Sequence, residues 1–388
     1  MKCGCSLVSL QEEPDYSVIN TCTVTAKSDY QSRQLIRRSL RSGAKVIVTG
    51  CYAQLRPDEI KAIDDTIQVV NNKNKSNIIN MITNNRACNT SYYCKRSRAY
   101  LKVQDGCNYS CTYCVVPHAR GKSQSLKSSE VIHNALEFEK SGYKEIVLTG
   151  IHLGLYGHDL RTKLKLSELL KILLKRTKIP RIRLSSLEVN EITEDIIEIL
   201  QDRRICSHVH IPLQSGDDHI LKLMNRNYNV KRFTSTIETI AKKVKDVSIG
   251  TDVIVGFPNE GDKEFSNTKN TVKSLPISYI HIFPFSKRPN TIASSMKEQN
   301  TKHMKHERYV ELNAINIRKK HEYMSSHINK TLDIIIEEKG KGNTVVGTSS
   351  NYLKIRIPSV SYNKGTLMQV RIVGIEDNNI IAYPLLTL

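Results

Sequence analysis

Short apolar runs alternate with amphipathic segments in the first part of the chain. The runs YSVINTCTV, KVIVTGCYA and TIQVVNN are rich in β-branched residues and have the length of strands. Between the first two, Leu35, Ile36 and Leu40 recur at helical spacing with arginines on the opposite face. This spacing predicts a helix over residues 28–43. The alternation of strand and helix predicts a small α/β unit with a parallel sheet over residues 1–85.

The same alternation continues through the middle of the chain. Six runs have the composition of strands: AYLKVQDG, EIVLTGIHL, RIRLSSLEV, HVHIPLQSG, SIGTDVIVGF and YIHIFPFS. Amphipathic segments lie between them, such as residues 129–141, where Val131, Ala135 and Phe138 are apolar. Six strand–helix units are too few for an eight-fold barrel, so the pattern predicts a partial parallel (βα)6 barrel over residues 93–324. Its chemistry is expected at the carboxyl ends of the strands.

From residue 325 onward the pattern changes to short strands joined by turns that contain Gly and Asn. The runs are LDIIIEE, NTVVGTSS, LKIRIPS, LMQVRIVGIED and IIAYPL. They predict a small all-β module, a five-stranded barrel, over residues 325–388. The expected fold class is therefore α/β in the first two parts, with an all-β barrel at the end.

Charge and cysteine content narrow the class of protein. The chain has 388 residues and a net charge of +20, which favours a polyanionic partner such as nucleic acid over a merely solvated basic surface. Ten cysteines in a chain of this length are not a disulfide scaffold. The sequence has no membrane-length apolar run and no apolar leader at its start. We therefore expect a cytoplasmic protein with reduced thiols and no membrane partner.

Two basic clusters indicate where a polyanion would bind. One lies on the predicted helix and the other precedes the barrel; they comprise Arg33, Arg37, Arg38 and Arg41, and Lys95, Arg96 and Arg98. Such clusters bind phosphates without selecting a sequence, although many are only solvated faces. Together with a β-barrel of oligonucleotide-binding type they favour RNA.

The stretch GCNYSCTYCVVPHARG contains three cysteines, Cys107, Cys111 and Cys114, within eight residues. Zinc sites usually draw four ligands from two pairs, and no second C-x2-C pair exists in the chain. A cubane iron–sulfur cluster normally takes four thiolates, so three leave one iron open. The amino and carboxylate groups of S-adenosylmethionine can bind such an iron, and reduction then yields a 5′-deoxyadenosyl radical. The alternative is three unrelated cysteines.

This loop resembles the signature of radical S-adenosylmethionine (radical SAM) enzymes, and its continuation VVPHARG resembles the methylthiotransferases among them. Further stretches match that family in order: NTCTVT, TGCYAQ, LTGIHLG, HIPLQSG, MNRNY, DVIVGFP and FPFSKRPNTIA. The C-terminal β module resembles the RNA-binding TRAM domain. The resemblance implies a radical SAM barrel, preceded by a shortened methylthiotransferase N-terminal domain and followed by a TRAM-like barrel.

The resemblance also implies an activity and its cofactors. The family transfers a methylthio group, and the forms TCTVT and GCYAQ resemble the branch that modifies C2 of N6-threonylcarbamoyladenosine at tRNA position 37. The alternatives are the isopentenyladenosine branch, the ribosomal-protein branch, and a truncated, non-catalytic RNA-binding relative. The implied cofactors are two [4Fe–4S] clusters and S-adenosylmethionine. The implied partners are the tRNA anticodon loop and an external electron donor such as flavodoxin or ferredoxin.

In the family, a second cluster is held by three cysteines of the N-terminal domain. Cys22 and Cys51, each at the end of an apolar strand, match two of them. The third lies on a first strand that has no counterpart before NTCTVT. We expect either a misassigned start, a truncated gene, or replacement of the third ligand by Cys3 or Cys5.

Five residues are candidates for contact with S-adenosylmethionine: Tyr113, Gly150, Ser186, Gln214 and Gly256. Four of them end predicted barrel strands. Gly150 and Gly256 lack a Cβ, which lets backbone approach a ligand closely. Ser186 and Gln214 offer hydrogen bonds, and Tyr113 offers a ring for the adenine. Ordinary loop glycines, loop-opening polar residues and a core aromatic are the alternatives.

Overall fold

The computed structural model describes residues 5–83, 96–340, 342–358 and 362–385. The N-terminal part contains β1 Tyr16–Thr21, α1 Ala26–Arg41, β2 Lys45–Gly50, α2 Cys51–Leu55, α3 Pro57–Lys61, β3 Gln68–Val69 and α4 Ile78–Thr83. The middle part contains β4 Ala99–Lys102, β5 Gln104–Asp105, α5 Val116–Arg120, β6 Gln124–Ser125, α6 Ser128–Lys140, β7 Glu145–Thr149, α7 Leu166–Arg176, β8 Arg181–Leu184, α8 Glu194–Ile199, β9 His208–His210, α9 Asp218–Leu223, α10 Val230–Lys243, β10 Ser248–Val255, α11 Asp262–Ser274, β11 Tyr279–Pro284, α12 Ile292–Ser295 and α13 Lys302–Ser325. The C-terminal part contains β12 Thr331–Lys339, β13 Thr344–Ser349, β14 Lys354–Pro358, β15 Leu367–Glu376 and β16 Asn379–Pro384. Short 3₁₀ helices occupy Leu10–Glu12, Asn72–Asn77, Leu153–Leu155 and Val189–Glu191.

The chain divides into two compact units. The first comprises the described residues of Met1–Tyr93 together with Gly106–Lys122 and Ser286–Met296. The second comprises the described residues of Cys94–Asp105, Ser123–Phe285 and Lys297–Leu388. The domain boundaries 1–85, 93–324 and 325–388 stay predictions. The helices that the structure describes include no candidate for a membrane-spanning segment.

The first unit is built on a parallel sheet with the order β1-β2-β3. Helix α1 begins after Thr25, whose side chain accepts a hydrogen bond from the Ser28 amide, as an N-cap residue should. The helix buries Ile36 against Ile19 and Val48 of the sheet. The three strands and the helix predicted from the apolar pattern are confirmed.

The second unit contains six parallel barrel strands in two sheets, β4-β7-β8 and β11-β10-β9. Hydrogen bonds from the Ile182 amide to the Arg204 carbonyl (2.7 Å) and from the Cys206 amide to the Ile182 carbonyl (2.9 Å) join the sheets. Helices cover the outer face, where residues such as Phe233 and Ile237 join the apolar core. The partial (βα)6 barrel predicted from the sequence is confirmed.

The C-terminal strands close into a five-stranded barrel with the order β12-β13-β14-β16-β15. Its interior is filled by aliphatic side chains from alternate positions, among them Ile334, Ile355, Val370, Ile372 and Ile380. The small all-β barrel is therefore confirmed.

A buried ion network joins this barrel to the strands of the (βα)6 barrel within the second unit. Glu145, at the start of β7, is fully buried between Arg183 (Nε–Oε1 2.7 Å) and Arg181 (Nη2–Oε2 2.8 Å). Burial raises the pKa of Glu145, but the arginines more than offset this and lower it. The same guanidinium groups donate to the carbonyl oxygens of Thr348, Ser349 and Ser350.

Candidate active site

The loop that holds the three cysteines is closed by glycine. Gly106 has φ +74°, and a Cβ there would lie 2.2 Å from the Lys122 carbonyl oxygen and 2.7 Å from that of Gly121. The Cys107 amide donates to the Gly121 carbonyl (3.1 Å), which brings the two ends of the loop together. Only glycine fits this close approach of two backbone segments.

The three thiols face a common environment. Cys107, Cys111 and Cys114 are all half-buried. The Tyr109 amide donates to Cys107 Sγ and the Val116 amide donates to Cys114 Sγ, each at 3.4 Å. Amide hydrogen bonds of this kind stabilise thiolates and tune the potential of an iron–sulfur cluster.

A cavity of about 570 Å³ opens beside these thiols within the first unit. Its lining comprises Cys107, Asn108, Tyr109, Ser110, Cys111, Thr112, Cys114, Pro117, His118, Gly121, Lys122, Asn290, Thr291 and Ile292. The volume is in the range of small-molecule sites. Among the described lining residues there is no fourth cysteine, so the donor set fits a cubane cluster with one iron left for another ligand. Tyr109 lines the cavity, whereas the predicted Tyr113 is half-buried in the loop.

Cys22 and Cys51 lie at one edge of the sheet of the first unit. They directly follow Thr21 and Gly50, which are partners in the β1–β2 register. Gly50 has φ +100°, and a Cβ there would lie 2.3 Å from the Thr21 carbonyl oxygen. The turn from β2 into α2 therefore requires glycine. Cys22 is exposed and Cys51 is buried.

The candidates in this chain for the third ligand of the predicted second cluster are Cys3 and Cys5. Cys5 is half-buried, before the first strand. Cys3 lies outside the described residues.

Asn72 ties the two cysteine segments of the first unit together. The backbone amide of Asn72 donates to Gln54 Oε1 (3.0 Å) in α2, the helix that starts at Cys51. Its side chain donates to the Ala119 carbonyl (2.8 Å) in α5, the helix that follows Cys114. No local sequence pattern indicates this role of Asn72, because the stretch TIQVVNN predicts only a strand.

The segment Ser286–Met296 completes the first unit. Arg288 is buried and pairs with the buried carboxylate of Asp29 (Nη2–Oδ2 2.8 Å). It also donates to the Thr23 carbonyl (3.3 Å), and the Ala293 amide donates to the Thr112 carbonyl (2.9 Å) in the cysteine loop. The stretch FPFSKRPNTIA thus supplies part of the cavity wall.

Four of the predicted residues lie in the second unit, after the carboxyl ends of successive barrel strands. Gly150 follows β7, Ser186 follows β8, Gln214 follows β9 and Gly256 follows β10. Ser186 is exposed, while Gln214 is buried with φ +65°. The Gly256 amide donates to Glu260 Oε1 (2.7 Å). The structure places these residues at one end of the barrel, as parallel strands require.

Charged residues at the same end of the barrel form two contacts. Arg226 pairs with Glu188, and His152 Nε2 contacts Glu191. Burial raises the pKa of Glu188 despite the opposing charge of Arg226. The stretches LTGIHLG and MNRNY contain His152 and Arg226, but both contacts join loops that are distant along the chain, so no local pattern predicts them.

Sequence models of two families match the chain. One, described as the radical SAM superfamily, matches residues 101–272, and the other, described as uncharacterized protein family UPF0004, matches residues 1–72. The threonylcarbamoyladenosine tRNA methylthiotransferase MtaB of Bacillus subtilis (strain 168) is 38% identical over 94% of this chain and 86% of its own length. Its namesake from Aquifex aeolicus (strain VF5) is 36% identical over 91% of this chain and 90% of its own.

The chain belongs to the radical SAM methylthiotransferase family.

A solved structure supports the fold of this methylthiotransferase. The radical SAM methyltransferase TsrM from Kitasatospora setae superposes with a TM-score of 0.56, over 74% of this chain and 68% of the other. The two are 13% identical, so the likeness concerns the fold alone.

The inner face of the methylthiotransferase barrel carries polar side chains on its last three strands. His210 of β9 and His281 of β11 both contact Asp252 Oδ1 on β10, from Nε2 at 2.9 Å and from Nδ1 at 3.3 Å. Burial alone would raise the pKa of Asp252, but the two imidazole hydrogen bonds lower it to about 2. No local sequence pattern brings these three residues together, because each belongs to a different strand.

Proposed function

We propose that this chain adds a methylthio group to C2 of N6-threonylcarbamoyladenosine at position 37 of tRNA. The observation that carries the proposal is the set of three half-buried thiols from one loop that line a single cavity of about 570 Å³. The family membership and the two MtaB relatives support the choice of substrate.

Cys107, Cys111 and Cys114 would hold a [4Fe–4S] cluster whose fourth iron binds S-adenosylmethionine. When bound, these two groups supply a radical that removes the hydrogen from adenosine C2. Around them, the chain closes the loop through Gly106 and donates two amide hydrogen bonds to the sulfurs. Gly150, Ser186, Gln214, Gly256 and Tyr113 are proposed to contact the cofactor.

Cys22 and Cys51 would hold two irons of a second [4Fe–4S] cluster, which supplies the sulfur. Their placement after paired residues of adjacent strands supports this assignment. The third ligand would come from the segment before β1.

The RNA side of the proposal rests on charge and on the C-terminal barrel. Exposed arginines Arg37, Arg38 and Arg41 lie on α1, and the chain carries a net charge of +20. We assign the five-stranded barrel to the TRAM type, with RNA binding as its role, and the anticodon loop of tRNA as the partner. The proposed location is the cytoplasm, with an external protein such as flavodoxin or ferredoxin as electron donor.

The test is methylthiolation by the anaerobically reconstituted chain, with tRNA that carries N6-threonylcarbamoyladenosine and mass spectrometry of the nucleosides. We expect a methylthio product from the parent chain and none from Cys111→Ser, which removes one cluster ligand. Cys206→Ala is the matched control, because this buried cysteine lies in the second unit, outside the cavity lining. It should retain activity.

The same assay separates the other branches of the family. A product only from tRNA with isopentenyladenosine, or only from a ribosomal protein, would replace the proposed substrate. A folded chain that binds RNA but neither assembles iron nor modifies any of these substrates would indicate a non-catalytic relative.

A further inference from the structure

Three side chains with metal-binding atoms converge inside the barrel of the second unit. Val209, Ile249 and Ile280 belong to the apolar core beneath the helices, so the alternate positions of β9, β10 and β11 face inward. Those positions include His210, Asp252 and His281, whose ligand atoms all lie within 4.8 Å of one another. Strands, unlike loops, hold such atoms rigidly.

The distances suit a small divalent ion. Ligand atoms of four-coordinate zinc, bound at about 2.0–2.1 Å, lie roughly 3.3 Å from one another. Asp252 Oδ1 lies 3.3 Å from His281 Nδ1 and 2.9 Å from His210 Nε2. Small side-chain shifts, with each imidazole proton moved to the other ring nitrogen, therefore convert two hydrogen bonds to the carboxylate into three bonds to a metal.

The surroundings of His210 support its role as a ligand. Its second ring nitrogen, Nδ1, lies 3.3 Å from the Tyr279 hydroxyl, which in turn contacts His208 Nε2 at 2.8 Å. A hydrogen bond from the far nitrogen of a ligating histidine fixes its tautomer and orientation. With Nδ1–H donated to Tyr279, the lone pair of Nε2 is left for the ion.

The three residues also differ in exposure in a way that leaves a coordination position open. His210 is buried, Asp252 is intermediate and His281 is exposed. Two imidazoles and one carboxylate with an open position are typical of catalytic zinc and of non-haem ferrous iron.

We propose that His210, Asp252 and His281 bind one divalent first-row transition-metal ion, separate from the cysteine-bound clusters. The ligand set is two nitrogens and one oxygen, and the fourth position accepts water or a small oxygen ligand from the exposed side of His281. Zinc and ferrous iron share this chemistry. The site goes beyond the proposed methylthiolation and does not depend on it.

The test measures metal content rather than activity. The reconstituted chain, with its clusters in place, is equilibrated anaerobically with Zn²⁺ or with Fe²⁺, desalted, and analysed for both metals. We expect one more zinc, or one more iron, in the parent chain than in His281→Gln or Asp252→Asn. The ion retained when both are offered identifies the preferred metal.

Two further variants make the result decisive. His303→Gln is the matched control, because His303 forms an exposed pair with Glu307 on α13 and should leave the metal content unchanged. Tyr279→Phe keeps all three ligands but removes the hydroxyl that contacts His210 Nδ1, so zinc affinity should fall by about 10–100-fold.

Thermal melting provides the independent readout. Added zinc should raise the melting temperature of the parent chain but not that of His281→Gln, because only the parent binds it. Equal metal content in the parent, His281→Gln and Asp252→Asn, with all three folded by circular dichroism, would overturn the proposal. The three residues would then be a hydrogen-bonded group only.

Discussion

At the scale of single residues, glycines decide whether the cysteine loop can form. Gly106 lies where two backbone segments meet, and its positive φ adds to the steric requirement. Gly142 shares a positive φ of +83° but has open space where a Cβ would be. Alanine substitutions at Gly106 and Gly142 therefore separate the free-energy cost of a steric clash from the cost of a positive φ.

We predict that Gly106→Ala prevents stable assembly of the cluster at Cys107, Cys111 and Cys114. A Cβ 2.2 Å from the Lys122 carbonyl forces the loop ends apart. Iron content after anaerobic reconstitution should fall by one cluster, to a level matching Cys111→Ser. Gly142→Ala should keep the iron and lose only about 1 kcal/mol of stability. Full iron content in Gly106→Ala would contradict the role given to this glycine.

A second residue-scale prediction concerns the pH dependence of stability. Burial raises the pKa of Glu260 to about 7, although the Gly256 amide and Arg308 both favour the carboxylate. The folded chain therefore holds this proton up to a higher pH than the unfolded chain does. The contribution of Glu260 to the free energy of unfolding is fully present below pH 4.5 and is lost as the pH rises to about 7.

Urea unfolding of the parent chain and of Glu260→Gln, at several values between pH 4.5 and pH 8, measures this effect. As the pH rises, the free energy of unfolding of the parent should fall relative to that of Glu260→Gln. The fall amounts to about 1.4 kcal/mol for each unit by which folding raises the pKa of Glu260. A difference that stays constant across this range would show that Glu260 titrates normally.

At the scale of elements, the strands β7 and β8 contribute a buried ion network in addition to apolar packing. Glu145 is enclosed by Arg181 and Arg183, and these arginines also hold carbonyl groups of the C-terminal barrel. Removing one partner of a buried ion pair leaves the remaining charge buried without compensation, which destabilises the fold.

We predict that Glu145→Gln lowers the free energy of unfolding by about 3–5 kcal/mol. Glu137→Gln is the control, because its pair with Lys140 is exposed and screened by solvent, so its loss should change stability far less. Denaturant midpoints of the two variants test the difference. Similar losses from both variants would mean that the buried network is dispensable.

The element scale also shows what sequence patterns can and cannot predict. The apolar runs located all six barrel strands, since β-branched composition is a local property. They overestimated some lengths. HVHIPLQSG forms a strand only over His208–His210, because Pro212 lacks an amide hydrogen and Gln214 has φ +65°. TIQVVNN forms only Gln68–Val69, because Asn71 caps a 3₁₀ helix through the Asn74 amide.

The same limit applies to the candidate site. Cysteine spacing is local, so the loop at Cys107 was predictable from the sequence. Asn72 and Arg288 contact residues far away along the chain. The convergence of His210, Asp252 and His281 depends on the register of three strands. No local period encodes such contacts, so only the folded chain brings them together.

At the scale of the whole molecule, the net charge of +20 predicts how RNA binding responds to salt. The affinity for tRNA should fall steeply as salt increases, because bound counterions are released from the phosphates. Arg37→Gln on the exposed face of α1 should reduce the slope of log affinity against log salt by about 1. Lys140→Gln, whose charge is paired with Glu137, should leave it unchanged. Filter binding at several salt concentrations tests both.

The first unit draws on three separated stretches of chain, the last being Ser286–Met296. During synthesis, the cysteine loop therefore leaves the ribosome well before Asn290, Thr291 and Ile292, which complete its cavity. At 5–20 residues per second the delay is roughly 9–36 s. Over that interval the thiols lack their finished pocket and are open to oxidation or stray metals. We therefore expect that insertion of the cluster into the finished cavity follows translation of residues 290–292.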